Sequence, residues 1–272
     1  ARKIGEIQAK ECYLFQIPGT HHLLRPVIKL NRGYRESMSQ RKNELFFAEA
    51  GDKGLVIFLG EEPHLNEESY ANALLTAAEG LGVKRTVAVG GVYGAMPYDK
   101  NRQISCVYSL RRMRRELANY AVRFSDYEGG TTIGSYMVDQ AEPRNVEFIV
   151  FYALVPAYDF SEHSATVQGL RIENDFKAWH DIMSRLNYMF GMGIDLSPLE
   201  IQAKEVTSTM AAKIDELDRS MPQLGVKKYL EKIASEFSET SFVPLDDVWQ
   251  RGLRDIFGAI DENDAGEEGD DQ

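Results

Sequence analysis

The chain of 272 residues has few cysteines, no long apolar run and no common catalytic motif. Its two cysteines, Cys12 and Cys106, are too few for a disulfide framework or a four-cysteine zinc site. Its apolar runs reach about half of the roughly 20 residues that a membrane helix needs, so we expect no membrane span. The start, ARKIGEIQAKE, has no apolar central region. The sequence therefore predicts no signal peptide and a cytoplasmic location.

The motifs that mark metal and catalytic centres are also missing. The histidines form no HExxH pattern and accompany no CxxC pair, so we expect no metal and no cofactor. Cys106 and His64 offer a nucleophile and a base, but no oxyanion-hole or elbow sequence accompanies them, which favours a buried thiol. The sequence thus predicts no catalytic residue. The histidines are His21, His22, His64, His163 and His180.

Positive charge is scarce overall but locally dense. The formal net charge of −11 opposes binding to nucleic acid. Residues 255–272 contain eight acids and no lysine or arginine, which predicts a disordered, solubilising tail. We interpret the dense arginine group as a protein-contact surface, paired with carboxylates across a subunit interface or with the chain's own acidic tail. Nucleic acid is the disfavoured partner, because no aromatic platform is interleaved. The group consists of Arg111, Arg112, Arg114 and Arg115, with Arg123 beyond them.

Apolar periodicity predicts an α/β protein. Strand-like residues on both sides of AGDKG predict a β-hairpin. The order strand, helix, strand over residues 55–89 predicts a parallel crossover, which would place residues 55–59 and 86–89 in one mainly parallel sheet. The predicted strands cover residues 12–17, 26–30, 44–47, 55–59, 86–89 and 147–155. The predicted helices cover residues 67–81, 109–120, 132–140, 173–190, 198–219 and 226–237.

The strand at residues 147–155, EFIVFYALV, is nearly all apolar. It is therefore predicted to be a central strand covered on both faces and ended by Pro156. The chain divides into an α/β core at residues 1–195, a helical region at 196–258 and the acidic tail at 259–272. Apolar positions of the helical region, such as Met210 and Ile214, pack either against the core or against another protomer.

Four segments resemble the proteasome assembly chaperone 2 family in order and spacing. They are LVIFLGEEP (residues 55–63), GVKRTVAVGGVYGAMPYDKNRQISCV (82–107), YEGGTTIG (127–134) and ALVPAY (153–158). The resemblance implies a three-layer α/β/α sandwich of the phosphorylase- or hydrolase-like type. It also implies a role in assembling protein complexes.

Three features depart from the family pattern. Lys100 and Arg102 only approximate the basic residue that the family has after the loop proline. The connection at residues 19–26 is too short for the helix that the family usually places there. The chain ends Gly269-Asp270-Asp271-Gln272, and this acidic end cannot fill the apolar pocket in which a hydrophobic-tyrosine tail docks on a proteasome. We therefore expect no proteasome docking by the tail.

Two loops that follow predicted strands suggest a ligand pocket, because ligands of parallel sheets bind outside the carboxyl ends of the strands. Gly90-Gly91 is interpreted as a sharp bend, although it lacks the GxGxxG and GK[ST] patterns of a phosphate loop. Glu61 and Glu62 point in opposite directions on an extended segment, so capping or ion pairing is favoured over acid-base chemistry. The candidate pocket residues are Gly60, Glu61, Glu62, Gly90, Gly91, Tyr93 and Arg102.

The preferred hypothesis is a non-catalytic, self-associating scaffold that resembles an assembly chaperone and has a protein partner. The alternative is an enzyme that handles nucleosides or phosphate esters in the strand-end pocket, with Arg102 as the phosphate-binding group. A third possibility is a proteasome chaperone in the strict sense, which would need a docking surface other than the tail.

Overall fold

The computed structural model describes residues 1–16, 25–39, 41–50, 53–160 and 169–242. Strands and helices are mixed along this part of the chain, so the protein is α/β as expected. The strands are β1 (Arg2–Glu6), β2 (Ile28–Asn31), β3 (Tyr34–Met38), β4 (Glu44–Ala50), β5 (Lys53–Leu59), β6 (Arg85–Gly94), β7 (Ile104–Tyr108), β8 (Arg123–Phe124), β9 (Glu147–Tyr158) and β10 (Leu170–Arg171). The α-helices are α1 (Glu67–Gly80), α2 (Arg114–Leu117), α3 (Ile133–Ala141), α4 (Phe176–Phe190), α5 (Ser197–Ser220) and α6 (Val226–Glu236).

The predicted hairpin at the start of the chain is confirmed. Strands β4 and β5 pair antiparallel from Glu44 opposite Leu59 to Ala50 opposite Lys53, and β1 pairs with the other edge of β4. Strands β2 and β3 form a separate two-stranded hairpin. Its turn residues Arg32 and Gly33 both have positive φ, the backbone that two-residue hairpin turns of type I′ require.

The predicted strand at residues 12–17 is wrong for the residues that the structure describes. Residues Lys10–Cys12 form a 3₁₀ helix, and residues 13–16 join no sheet, while Ile17 lies outside the described residues. The Cys12 carbonyl accepts hydrogen bonds from the backbone N–H groups of His64 (2.8 Å) and Leu65 (3.2 Å). Cys12 is buried beside Tyr70 of α1, whereas Phe15 is 67% exposed, so the apolar pattern belongs to a partly buried loop and not to a strand.

The second sheet has β9 at its centre and mixes strand directions. Strand β6 pairs with β9 in parallel from Arg85 opposite Glu147 to Gly94 opposite Pro156. Strands β7 and β10 pair with β9 antiparallel, and β8 pairs with β7 in parallel. The prediction of a mainly parallel sheet is therefore corrected to a mixed sheet. Pro156 does not end β9, since it lies at the end of the β6 ladder, where a missing N–H is tolerated.

The predicted parallel crossover between residues 55–59 and 86–89 is also wrong. Helix α1 follows β5 as expected, but β5 belongs to the sheet of β1 and β4, whereas β6 belongs to the sheet of β9. The order strand, helix, strand predicts parallel pairing only when both strands belong to the same sheet. Strand β5 instead pairs with β4, which precedes it directly in the chain. This pairing costs little entropy, because the loop between the two strands is short.

Helices cover both faces of the β9 sheet. Phe148 and Val150 pack into a cluster with residues of α1 and α3, among them Leu75 and Met137. Ile149 and Phe151 point to the opposite face and belong to a larger cluster with α4 and α5. This alternation confirms that β9 is covered on both faces, and it explains why the strand has almost no polar residue.

The C-terminal helices pack against the core of the same chain. Met210 and Ile214 of α5 and Val226 of α6 are buried in the larger cluster, next to residues of α4 and β9. Within the described residues, no helix is both long and apolar enough to cross a membrane. The end of the predicted helical region and the whole acidic tail lie outside the described residues.

Replacing Phe151 tests this core. Its side chain is 0% exposed, so we expect Phe151→Ala to lower the free energy of unfolding by about 3–5 kcal/mol through lost burial and a residual cavity. Ile201→Ala is the control, because Ile201 is 67% exposed and should cost less than about 0.5 kcal/mol. Urea unfolding followed by far-UV circular dichroism measures both. Equal losses would contradict the packing described for β9.

Candidate functional site

The glycine-rich segment lies inside β6 instead of forming a bend. Gly90, Gly91 and Gly94 pair regularly with β9, and none of them has positive φ. A Cβ at Gly94 would lie 2.6 Å from Leu154 Cδ1, and a Cβ at Gly90 would lie 3.0 Å from Tyr152 Cδ1. The glycines are therefore explained by close packing against side chains of β9. The sequence alone favoured a turn because glycine is far more common in turns than in strands.

A cavity of about 290 Å³ lies between β6, β9 and the first half of α4. Gly90, Gly91 and Tyr93 line it, so three of the predicted pocket residues lie together. Val89 and Tyr93 are more than half exposed, and Trp179 of α4 is 45% exposed. Sequence reasoning missed Trp179, although an exposed tryptophan on an amphipathic helix is a signal of a contact surface.

Gly60, Glu61 and Glu62 do not line this cavity. Glu61 forms an ion pair with Arg41, and its carbonyl accepts a hydrogen bond from Tyr70 Oη at 3.1 Å. Glu62 Oε1 accepts a hydrogen bond from the backbone N–H of Ile133 at 3.2 Å, at the first residue of α3. A carboxylate is favourable at that position because it meets the positive end of the helix dipole. The predicted structural roles thus fit both acids, with α3 and not α1 as the capped helix.

Arg102 is fully buried and is held by acids of α4. Its Nε donates to Asp175 Oδ2 at 2.7 Å, and its Nη1 donates to the carbonyls of Tyr98 (3.0 Å) and Lys100 (2.8 Å). Its backbone N–H donates to Asp181 Oδ2 at 2.7 Å. Asp175 Oδ1 also accepts from the backbone N–H of Ala178 and so caps α4. These contacts anchor the loop before β7 to α4 and leave Arg102 turned away from solvent.

A second buried arginine, Arg185, attaches the C-terminal half of α4 to the segment that joins α2 to β8. Arg185 donates to the backbone carbonyls of Tyr120 (2.8 Å), Ala121 (3.0 Å) and Asp181 (2.7 Å). Burial lowers the pKa of Arg185 to about 10, since no carboxylate side chain is bonded to it. The guanidinium satisfies two carbonyls at the end of the helical segment that Tyr120 closes and one carbonyl within α4.

The arginine group, called the basic cluster here, consists of Arg111, Arg112, Arg114, Arg115 and Arg123. Its first four residues lie on consecutive helical turns with exposed side chains, while Met113 and Leu117 on the other side are buried. Arg112 Nη1 donates to Asn145 Oδ1 at 2.7 Å, and the Arg114 guanidinium lies 5.1 Å from the centre of the Phe124 ring. The helical segment therefore presents a basic face and an apolar face.

Neither cysteine resembles a nucleophile. Cys106 is 1% exposed, and burial raises the pKa of its thiol to about 12. Burial also raises the pKa of Cys12. His64 does not face Cys106, because its Nδ1 accepts a hydrogen bond from the backbone N–H of Leu14 at 3.1 Å. Among the described residues, no three histidine, cysteine, aspartate or glutamate side chains are placed to hold a metal ion together.

Removing the guanidinium of Arg102 should destabilise the protein strongly. Arg102→Met leaves Asp175 buried without its partner, so we expect a loss of about 3–5 kcal/mol in the free energy of unfolding. Arg171→Met is the matched control, because its partner Glu173 and Arg171 itself are exposed, and such a pair contributes about 0–1 kcal/mol. Urea titration gives both values. A small effect at Arg102 would mean that this contact does not anchor α4.

A pH dependence follows from Glu116. Hydrogen bonds from Arg85, at 2.5 and 2.9 Å, lower the pKa of Glu116 below its ordinary value. The contact therefore stabilises the fold fully above the unfolded-state pKa of about 4.3 and is lost as the pH falls through the lower folded-state pKa. We expect Glu116→Gln to be less stable than the parent at pH 7 and equally stable near the acid limit of folding. Glu205→Gln, at an exposed site on α5, should match the parent at both pH values in thermal unfolding.

Comparison with known proteins agrees with this fold. Curated proteins give no match, but a sequence model of the PAC2 family matches residues 1–214. A PAC2 family protein of Streptomyces avermitilis is 23% identical, with a TM-score of 0.65 over 84% of this chain and 86% of that one. A proteasome-assembly chaperone homologue of Mycobacterium tuberculosis is 18% identical, with a TM-score of 0.64 over 78% and 82%. An archaeal proteasome activator of Pyrococcus furiosus is 16% identical, with a TM-score of 0.53 over 71% and 78%.

The family match covers the hairpin sheet, the β9 sheet and most of α5. The motifs that suggested the family in the sequence lie within these elements: the LVIFL strand β5, the glycine strand β6 and the end of β9. The packing of Gly90 and Gly94 against β9 gives a physical reason for the glycine motif. The chain belongs to the PAC2 family.

Proposed function

We propose that the protein is a non-catalytic, self-associating scaffold that acts in the manner of an assembly chaperone. Its family supports this proposal, as do structural relatives described as a proteasome-assembly chaperone homologue and as an archaeal proteasome activator. The observation that carries it is the unpaired outer edge of β6. A scaffold that self-associates needs a surface on which another copy can pair, and an open strand edge is such a surface.

The outer edge of β6 has no ladder partner among the described residues. The strand is ten residues long, and Val89, Val92 and Tyr93 are 58%, 41% and 54% exposed. Natural proteins protect edge strands with lysine, proline or a bulge, but β6 has a single charge, Arg85, at its first residue. An apolar, regular edge of this length is suited to pairing with another strand.

The partner we propose for this edge is a second copy of the chain. Identical edge strands pair antiparallel about a two-fold axis perpendicular to the sheet, which requires that a residue pairs with itself at the centre. With Gly91 at the centre, Val89 lies opposite the partner's Tyr93, and Val92 lies opposite the partner's Gly90. Pairs of an aromatic and a β-branched side chain stabilise neighbouring strands. The cavity beside Gly91 and Trp179 would then continue across the interface.

The alternative enzyme has no supporting observation. It requires a basic group in the cavity to hold a phosphate, and Arg102 was the candidate for this role. Arg102 is instead enclosed by Asp175 and two backbone carbonyls. The predicted pocket also divides, because Gly60 to Glu62 lie outside the cavity that Gly90, Gly91 and Tyr93 line.

Further parts of the proposal concern architecture and location. The helices α1 and α3 on one face of the β9 sheet, with α4 and α5 on the other, support a three-layer α/β/α sandwich of the phosphorylase-like type. The two cysteines are unpaired and buried, which supports a cytoplasmic location. We infer that the partners are proteins and not nucleic acid, since the net charge is −11.

Cross-linking tests the two-fold pairing. A cysteine at the central position meets its own copy, so we expect Gly91→Cys to form a disulfide-linked dimer under mild oxidation. Gly80→Cys is the control, since Gly80 is exposed at the end of α1, and it should remain monomeric on a non-reducing gel. Failure of Gly91→Cys to cross-link, in protein that light scattering shows to be dimeric, would contradict this pairing.

Charge placed on the edge should weaken association. In Val89→Lys/Tyr93→Lys, lysines would face the partner strand in both copies, so we expect the dimer dissociation constant to rise at least about tenfold, or about 1.4 kcal/mol. Ile201→Lys adds charge at an exposed apolar position on α5 and should leave the constant unchanged. Sedimentation equilibrium measures both. A parent protein that is monomeric at micromolar concentration would refute self-association itself.

A further inference from the structure

Most arginines of the basic cluster have no acidic partner among the described residues. Arg112 reaches Glu147 at 3.5 Å, but Arg111, Arg114, Arg115 and Arg123 form no ion pair there. Two acids close to the cluster, Glu116 and Glu147, already have arginine partners. Glu116 is bonded twice to Arg85, and Glu147 is bonded to Arg85 and Arg112. The cluster thus presents several unmatched positive charges on one exposed surface.

The described chain ends near the C-terminal end of the helical segment that carries the cluster. Residues before the end are anchored to the loop at Asn101, whose backbone N–H donates to Glu239 Oε1 at 2.9 Å. Phe242, the last described residue, packs on Tyr188 at 5.7 Å between ring centres and on the Arg185 guanidinium at 5.0 Å. That same guanidinium donates to the carbonyls of Tyr120 and Ala121. At Phe242, the last described residue, only the Arg185 side chain therefore separates the chain from the segment that joins α2 to β8.

The residues that follow Phe242 are strongly acidic. Residues 243–272 contain ten acids and two arginines, Arg251 and Arg254, and so carry eight of the eleven net negative charges of the chain. From residue 255 onward there is no basic residue. The acids are Asp246, Asp247, Asp255, Asp261, Glu262, Asp264, Glu267, Glu268, Asp270 and Asp271.

We propose that residues 255–272 bind the basic cluster of their own chain and cover it. The sign and the concentration of charge match, and the chain exits near the end of the helical segment that carries the cluster. The separation is easily spanned, because the residues between Phe242 and Asp255 extend up to about 45 Å at about 3.4 Å each. Attachment to the same chain supplies the tail at an effective concentration in the millimolar range. Binding of this kind is sensitive to salt, since exposed charges are screened within about 8 Å at physiological ionic strength.

This contact gives the tail a role beyond solubility. While the carboxylates of the tail bind the cluster, other anionic surfaces cannot bind there. Raised salt or a competing acidic partner displaces the tail. The inference does not depend on the pairing of β6, which lies at the opposite edge of the β9 sheet from β8. Failure of one proposal leaves the other standing.

The distance between the tail and the cluster tests the proposal. Spin labels are attached to the full chain at Ala118→Cys, an exposed position beside the cluster, and at Ala265→Cys in the tail. The native cysteines are each 1% exposed and should not react. Double electron–electron resonance at low salt should give a narrow, short distance population. That population should be lost in 0.5 M NaCl and in the cluster variant Arg111→Glu/Arg115→Glu.

A matched control reverses two charges elsewhere. Lys228→Glu/Lys232→Glu changes two exposed lysines on α6 by the same amount and should keep the short population. Circular dichroism and thermal unfolding show whether each variant is folded. A short distance that persists in the folded cluster variant would overturn the proposal, and so would a broad distribution in the parent. Loss of the short population on dilution with unlabelled protein would also overturn it, because the tail would then bind another copy.

Discussion

The buried ion pair between Arg102 and Asp175 holds together the part of the fold on which the candidate surfaces depend. Arg102 belongs to the loop between β6 and β7, and Asp175 is the cap of α4, so one contact joins the sheet to the helix that covers it. Asp181 adds a bond to the Arg102 backbone one and a half turns along α4. A charge buried this completely is tolerated only when its partners satisfy it.

The position of α4 determines what remains open. Its buried side chains Ala178 and Ile182 close the α4 face of the β9 sheet, and its exposed Trp179 borders the cavity beside β6. Among the described residues, strand β6 has one paired edge and one open edge. The cavity that Gly90, Gly91 and Tyr93 line adjoins this open edge. An open edge of this kind is suited to pairing with another polypeptide strand.

The charged side chains are distributed unevenly over the molecule. Arg102 and Arg185 are buried and hold neighbouring elements together, whereas the arginines of the basic cluster are exposed, and most of them have no ion-pair partner in the described part of the chain. Arg185 lies between the buried and the exposed arginines. It donates to the Tyr120 carbonyl at the end of the segment that carries the cluster, and its guanidinium packs on the ring of Phe242, the last described residue. The net charge of −11 conceals this division, since most of it belongs to the acidic residues after Phe242.

Elements whose signals are local could be predicted from the amino-acid sequence. The β4–β5 hairpin, helices α1 and α3 to α6 and the doubly covered strand β9 follow from apolar spacing over a few residues, and the family follows from motifs within them. Three further features could be seen only in the folded chain: β5 and β6 belong to different sheets, Gly90 and Gly94 make room for side chains of β9, and Arg102 pairs with Asp175. These outcomes join residues far apart in the chain, such as the 73 positions between Arg102 and Asp175. Local sequence patterns indicate which residues are buried, but which residues they contact in the core depends on how the whole chain packs.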